Sequence, residues 1–254
     1  MRTGGWRRAR RAAAAAVLLA LPFLTGCIYL RLLELKRQLG EFDRYVAVET
    51  TAGLKLTFRE PVLLDRDMAF LGLATTDRAR SGVAERWHVS WAKVPVAAEA
   101  GGPRVVQSLD FVFVDRRLTT VIVPERFFVF FPKDVLLAGL RAMGRAKVDR
   151  EKRTVTTEVG GGEIAGPAPV LPRAALERTL GAPTAAGGAA AAPEWHYVFA
   201  PEPASRGSGG IGLTFTIDAA TGQVRRIRGR LISGTFDFTY PIVSDARAAP
   251  PPGP

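Results

Sequence analysis

The sequence predicts an α+β protein of two related modules, each a helix followed by an antiparallel meander, behind a short amino-terminal leader. Three observations predict the duplication. A Trp-His pair occurs at Trp87-His88 and again at Trp195-His196, 108 residues on, each time inside an alternating apolar–polar segment. An apolar-periodic run closing on Leu71-Gly72 precedes the first pair, and one closing on Leu180-Gly181 precedes the second, 109 residues on. A further alternating segment follows each pair, at 109–113 and at 213–217, 104 residues apart. Three features in one order at nearly constant spacing mark an internal repeat.

The first 26 residues read as an export leader. Arg2, Arg7, Arg8, Arg10 and Arg11 open the chain with no acid among them. Residues 12–24 are then apolar and uncharged, and Leu24-Thr25-Gly26-Cys27 follows. A basic start, a short apolar core and a small-residue exit are the pattern of such a leader. Thirteen helical residues rise only about 20 Å against a hydrocarbon core of about 30 Å, too short for a comfortable span.

The elements follow in order. Residues 27–43 form a membrane-proximal helix, Tyr29 to Leu39, stopped by Gly40. The first module, 44–131, opens with a hairpin of 45–50 and 54–58 joined at Ala52-Gly53. A helix near 63–71 comes next, then strands at 87–94, 109–114 and 118–123 with a turn at 115–117. The second module, 132–245, starts with Val135, Leu136, Leu140 and Met143 at helical spacing, then a strand at 154–159. Pro172 suits a first helical turn, Leu176 and Leu180 share one face, and Gly181 and Pro183 stop the helix. Trp195, Tyr197 and Phe199 alternate as one strand; Leu213, Phe215 and Ile217 as the next. A turn at 218–222 leads into Val224, Ile227 and Leu231. The Ala/Gly/Pro/Ser-rich stretches 182–193 and 200–210 read as mobile loops, and 246–254 as a proline-rich tail.

Two resemblances rest on these residues. Leu24-Thr25-Gly26-Cys27 resembles the lipobox of bacterial lipoproteins, which implies acylation of the Cys27 thiol and cleavage after Gly26. Ile28, in place of the Asp that retains many such proteins at the inner membrane, implies the periplasmic side of the outer membrane. The helix ending in Leu-Gly-x-Pro, the Trp-x-Tyr strand and the Leu-x-Phe-x-Ile-Asp…Gly-x-Val hairpin resemble the BamE (SmpA) lipoproteins of the barrel-assembly machine. The order is also similar to the tandem repeat of the β-lactamase inhibitor protein. The better match is 171–231; the first copy has Thr75 where a terminating proline is absent. This second resemblance implies a fold and a setting, and no activity.

Composition narrows the chemistry. A single cysteine excludes an intramolecular disulfide, a zinc knuckle and a cysteine redox pair. The net charge of +11 falls to about +6 once the leader is removed, with 30 basic against 24 acidic side chains interspersed, which excludes a one-signed nucleic-acid patch. No cofactor or metal set is expected. His88 and His196 are the only histidines; as general bases they would need a nucleophile and an orienting group, and on the strand face opposite tryptophan they read as structural. Gly160-Gly161-Gly162 lacks a following Gly-Lys-Ser/Thr, and Gly207-Ser208-Gly209-Gly210 reads as spacer. Two binding candidates remain. Phe127, Phe128, Phe130 and Phe131 flank Val129 in a run apolar on both alternating faces, which predicts full burial or a contact surface. Arg225, Arg226, Arg228 and Arg230 spread over two faces of a strand, facing phosphates, an acidic partner or solvent. The expected role is a non-catalytic scaffold or adaptor that binds an envelope protein. An apolar-ligand carrier using the phenylalanines and an envelope hydrolase using His88 or His196 are the alternatives.

Overall fold

The computed structural model describes residues 28–70, 73, 75, 77–96, 99, 104–129, 131–145, 147–149, 154–156, 158–159, 170–202, 210–231 and 234–239. The lipobox residues Leu24, Thr25, Gly26 and Cys27, along with Phe130, Gly160-Gly161-Gly162 and the tail, lie outside them.

Helix α1 (Ile28–Gly40) and the single turn α2 (Phe42–Tyr45) lead into the hairpin β1 (Val46–Glu49) and β2 (Leu54–Phe58), which turns at Gly53 as predicted. Helix α3 (Asp65–Phe70), β3 (Asp77–Ser81), β4 (Ala84–Lys93), β5 (Val106–Val114) and β6 (Arg117–Val123) follow. A 3-10 helix (Glu125–Val129) and α4 (Lys133–Arg145) connect them to the short strands β7 (Lys147–Asp149), β8 (Thr154–Thr156) and β9 (Glu158–Val159). Helix α5 (Arg173–Leu180) then precedes β10 (Ala185–Ala189), β11 (Ala192–Glu202), β12 (Ile211–Ile217), β13 (Val224–Leu231) and β14 (Gly234–Thr239).

Twelve of these strands form one sheet in the order β1-β2-β6-β5-β4-β11-β12-β13-β14-β9, with β3 beside β4 and β10 beside β11. Every pairing is antiparallel except β14–β9. The expectation of two helix-and-meander modules is therefore overturned. The strands that would have edged two separate sheets, β4 and β11, pair with each other from Phe199↔Lys93 to Glu202↔Ser90. An exposed strand edge is a row of unsatisfied backbone groups, and joining two such edges satisfies both. The seam has a local two-fold character: Ala92 pairs with Ala200, and these positions are 108 residues apart, the spacing of the Trp-His pairs.

Two further expectations are corrected. Residues 185–189, read as part of a mobile loop, form β10, paired with β11 on the edge that β4 occupies further along the strand. Ala-Ala-Gly-Gly-Ala has no strand propensity of its own, and the ladder of β11 supplies the order. The run 127–131, expected to be wholly buried as a strand or core plug or else a contact surface, begins inside a 3-10 helix, Glu125–Val129, that has no fully buried residue; Phe127, Phe128 and Phe131 are half-buried.

The core lies on one face of the sheet. Trp87, Val89 and Trp91 of β4, Tyr197 and Phe199 of β11, and Phe215 of β12 pack with Leu176 and Leu180 of α5, Val135 and Ala138 of α4, and Met68 of α3. Each such side chain contributes about 1.5–3 kcal/mol on burial. A second cluster continues the same face under α1 and α2, with Leu39, Phe42 and Tyr45 against Leu54, Leu56 and Val123. Helices α1 and α4 meet where Gly144 faces Gly40: a Cβ on Gly144 would stand 2.1 Å from the Gly40 nitrogen. Gly144→Ala is expected to cost about 2–3 kcal/mol by forcing the helices apart, a loss that a urea titration of the two proteins measures directly.

Candidate functional site

Because alternate side chains leave a strand on opposite sides, the tryptophan face and the histidine face are set by one register. Ladder partners carry the second face across the sheet: Lys55 and Thr57 on β2, Ser108 and Asp110 on β5, Arg86, His88, Ser90 and Ala92 on β4. Beyond the seam come Glu194, His196, Val198 and Ala200 on β11, Gly212, Thr214 and Thr216 on β12, and Arg226, Arg228 and Arg230 on β13. The helical residues of both hydrophobic clusters lie on the other side. Both histidines thus sit opposite the tryptophans, as the alternation predicts.

His88 and Asp110 are directly paired across β4 and β5, with Nδ1 2.7 Å from Oδ1, and Arg86 bonds the other carboxylate oxygen. Burial pushes the Asp110 carboxyl up, but the hydrogen bonds from Arg86 and His88 outweigh it and hold the group below the usual carboxylate range. Asp77, Ala79, Arg86, His88 and Asp110 line a recess of about 270 Å³. The dyad supplies a histidine with its orienting carboxylate, yet no hydroxyl or thiol stands in that lining to serve as nucleophile.

The equivalent place in the second half is built differently. His196 Nδ1 is 3.0 Å from Thr214 Oγ1, and Arg228 pairs with Glu194. Counting along the β4–β11 register, His88 and His196 stand eight residue steps apart, roughly 27 Å at strand rise. They do not share a site. Among the described residues no group of three histidine, cysteine, aspartate or glutamate side chains could hold a metal ion.

The arginine strand is only partly as expected. Arg226, Arg228 and Arg230, two apart, share the open face, while a bulge between Thr216 and Ile217 takes up Arg225 and lets Val224 and Ile227 both face the core. Asp218 pairs with Arg225, Asp237 with Arg226 and Glu194 with Arg228. Three of the four cations are thus neutralised by their own sheet, which weakens the case for a phosphate-binding strip. The phenylalanine segment is a packing element: Phe127 touches both core clusters and meets Phe128 and Phe131 edge to face.

Sequence reasoning missed the buried lysine at the seam. Lys93 ends β4 on the covered face with its side chain 2% exposed, its ammonium on Glu99 Oε1 and Oε2 at 2.6 and 2.8 Å and on the Ala182 carbonyl. The Ala182 N–H donates to Glu99 in turn, and the Tyr197 hydroxyl donates to the Gly181 carbonyl. Gly181 takes φ 70° and ψ −160°, a conformation open essentially to glycine. A lone lysine in the alternation Trp87, Val89, Trp91, Lys93 was the available signal.

No protein family, curated protein or solved structure matches the chain. No helix of the described residues is long and apolar enough to cross a membrane.

Proposed function

We propose that this is a lipid-anchored envelope protein, tethered through Cys27 on the periplasmic side of the outer membrane, whose open sheet face binds another protein. The anchor reading rests on the lipobox residues at the end of the apolar leader. The observation that carries the binding reading is the make-up of the open face. Its accessible centre at the seam is the exposed Val198 with the half-buried Ala200 and Gly212, set over the small, buried side chains Ser90, Ala92 and Ser108, the last bonded by Arg126. The ion pairs Arg86–Asp110, Arg228–Glu194 and Arg226–Asp237 surround it.

A low apolar centre inside a ring of satisfied charges is the anatomy of a protein contact. Phosphate or nucleic-acid ligands call instead for several cations left unneutralised, whereas of the β13 arginines only Arg230, beside Gly212, makes no ion pair among the described residues. The partner this face fits is a protein with a flat patch of apolar and hydroxyl side chains.

Crosslinking in intact envelopes tests the reading. Val198 is 42% exposed, so Val198→Arg leaves the fold intact and places a charge at the centre of the floor. It is expected to cut the yield of the specific crosslinked species at least about tenfold, the scale of one unpaired charge at an interface centre, while His88→Ala/His196→Ala leaves it unchanged. Undiminished capture by the arginine variant, or no reproducible species from the wild type, removes the proposal.

A further inference from the structure

Helix α1 has an inward side and an exposed apolar side. Arg31, Leu32, Leu35, Gln38 and Leu39 face inward. Leu32 and Leu35 pack against the core, Gln38 and Leu39 are buried, and Arg31 grips Asp67 through Nε and a terminal nitrogen at 2.7 and 2.6 Å. Asp67 is 2% exposed and also accepts the Leu64 N–H, so the clamp fixes the helix both in position and in rotation. On the outward side Tyr29, Leu30 and Leu33 are 62%, 42% and 53% exposed. Residues three and four apart share a helix face, so the three form one ridge.

Charge changes along the helix. The ridge occupies the two turns next to Cys27, and the exposed charged network of Glu34, Arg37, Glu41 and Arg44 begins only beyond it. At 1.5 Å per residue the ridge spans about 6 Å of axis from Tyr29 to Leu33, starting two positions after Cys27 in the sequence, and an interfacial helix buries its apolar side by about 5–10 Å. Tyrosine, apolar in body and polar at its tip, suits that depth.

We propose that the Tyr29–Leu30–Leu33 ridge lies in the interfacial layer of the membrane, as a second contact beside the acyl chains. This rests on the reading of Cys27 as lipidated. Acyl chains alone fix distance and leave the body free to rotate. The ridge, held rigidly by the Arg31–Asp67 clamp, sets which way the sheet faces.

The test is photolabelling of the full-length protein, purified from membranes and reconstituted in phosphatidylethanolamine/phosphatidylglycerol vesicles that contain a diazirine phospholipid reactive just below the headgroup. The peptide carrying Leu33 is expected to gain lipid adducts about tenfold over the one carrying Val83, an exposed valine on the β3–β4 turn. Leu30→Ser/Leu33→Ser should abolish the excess without changing the membrane-bound fraction, because the acyl chains still hold the protein. Equal labelling of the two peptides, or an excess that persists in the double variant, overturns the ridge contact even where the mass of the Cys27 peptide shows acyl chains. An excess over Val83 in a protein lacking acyl chains sustains the ridge and overturns the lipidation reading alone.

Discussion

Lys93→Met is expected to remove about 3 kcal/mol of stability, read as a lower urea midpoint at unchanged slope. The ammonium bridges two parts of the chain that meet only in the folded protein. It leaves the end of β4, binds Glu99 in the following turn, and reaches the Ala182 carbonyl just after α5. It also lies 5.5 Å from the centre of the Tyr197 ring. Methionine fills the space but leaves the Ala182 carbonyl without a donor and Glu99 without its counter-charge, and a buried group stripped of its partner accounts for most of such losses. Adding Glu99→Gln should recover part of the loss, since the two sites are coupled.

The same pair predicts a difference in acid. The hydrogen bond from Lys93 lowers the Glu99 carboxyl against the opposing effect of burial. The folded protein therefore keeps Glu99 ionised at a pH where the unfolded chain has taken up the proton. Its contribution is complete above the ordinary glutamate range and is lost as the pH falls through the depressed folded value. In Lys93→Met that component of the acid limb should shrink, leaving only the part held by the Ala182 and Val96 N–H groups. An acid limb and urea midpoint identical to those of the wild type would show that Lys93 does not clamp the seam.

The second large effect is expected at Cys27. Wild-type protein grown with an alkyne fatty acid should carry the label, begin at an acylated Cys27, and stay with membranes through a high-salt wash. Cys27→Ser should incorporate no label and keep residues 1–26 or lose them at another site. Each buried methylene contributes about 0.8 kcal/mol, so two or more acyl chains give an effectively permanent tether, whereas a single chain binds only marginally. Wild-type protein free of fatty acid would end the anchor reading and, with it, the envelope setting of the proposed function.

Particular residues show how far the pattern of amino acids could be read. The alternation Trp195, Tyr197, Phe199 placed β11 and put His196 on the opposite face, because a strand gives its side chains no other choice. Gly53, Gly181 and Gly222 stand at positive φ in the turns and the helix stop where they were expected. The polar half of the picture was less legible. His88 found Asp110 across the ladder while His196 found Thr214, and only the interstrand register sets those pairs. The bulge before Ile217 decided that Val224 and Ile227, three apart, both face the core, and a one-residue shift of that kind leaves no mark in composition.

By itself the sequence determined most of the local periods: where the main strands and helices lie, where most turns fall, and which strand residues face the core. These depend on neighbours within one element. The tertiary structure decided that the two halves share one sheet, that Ala-Ala-Gly-Gly-Ala becomes an edge strand, that Lys93 is buried at the seam, and that α1 keeps one apolar side outward. Each of those depends on which strand edge or helix face meets which, and such meetings are settled by satisfying backbone groups and burying surface between segments far apart in the chain.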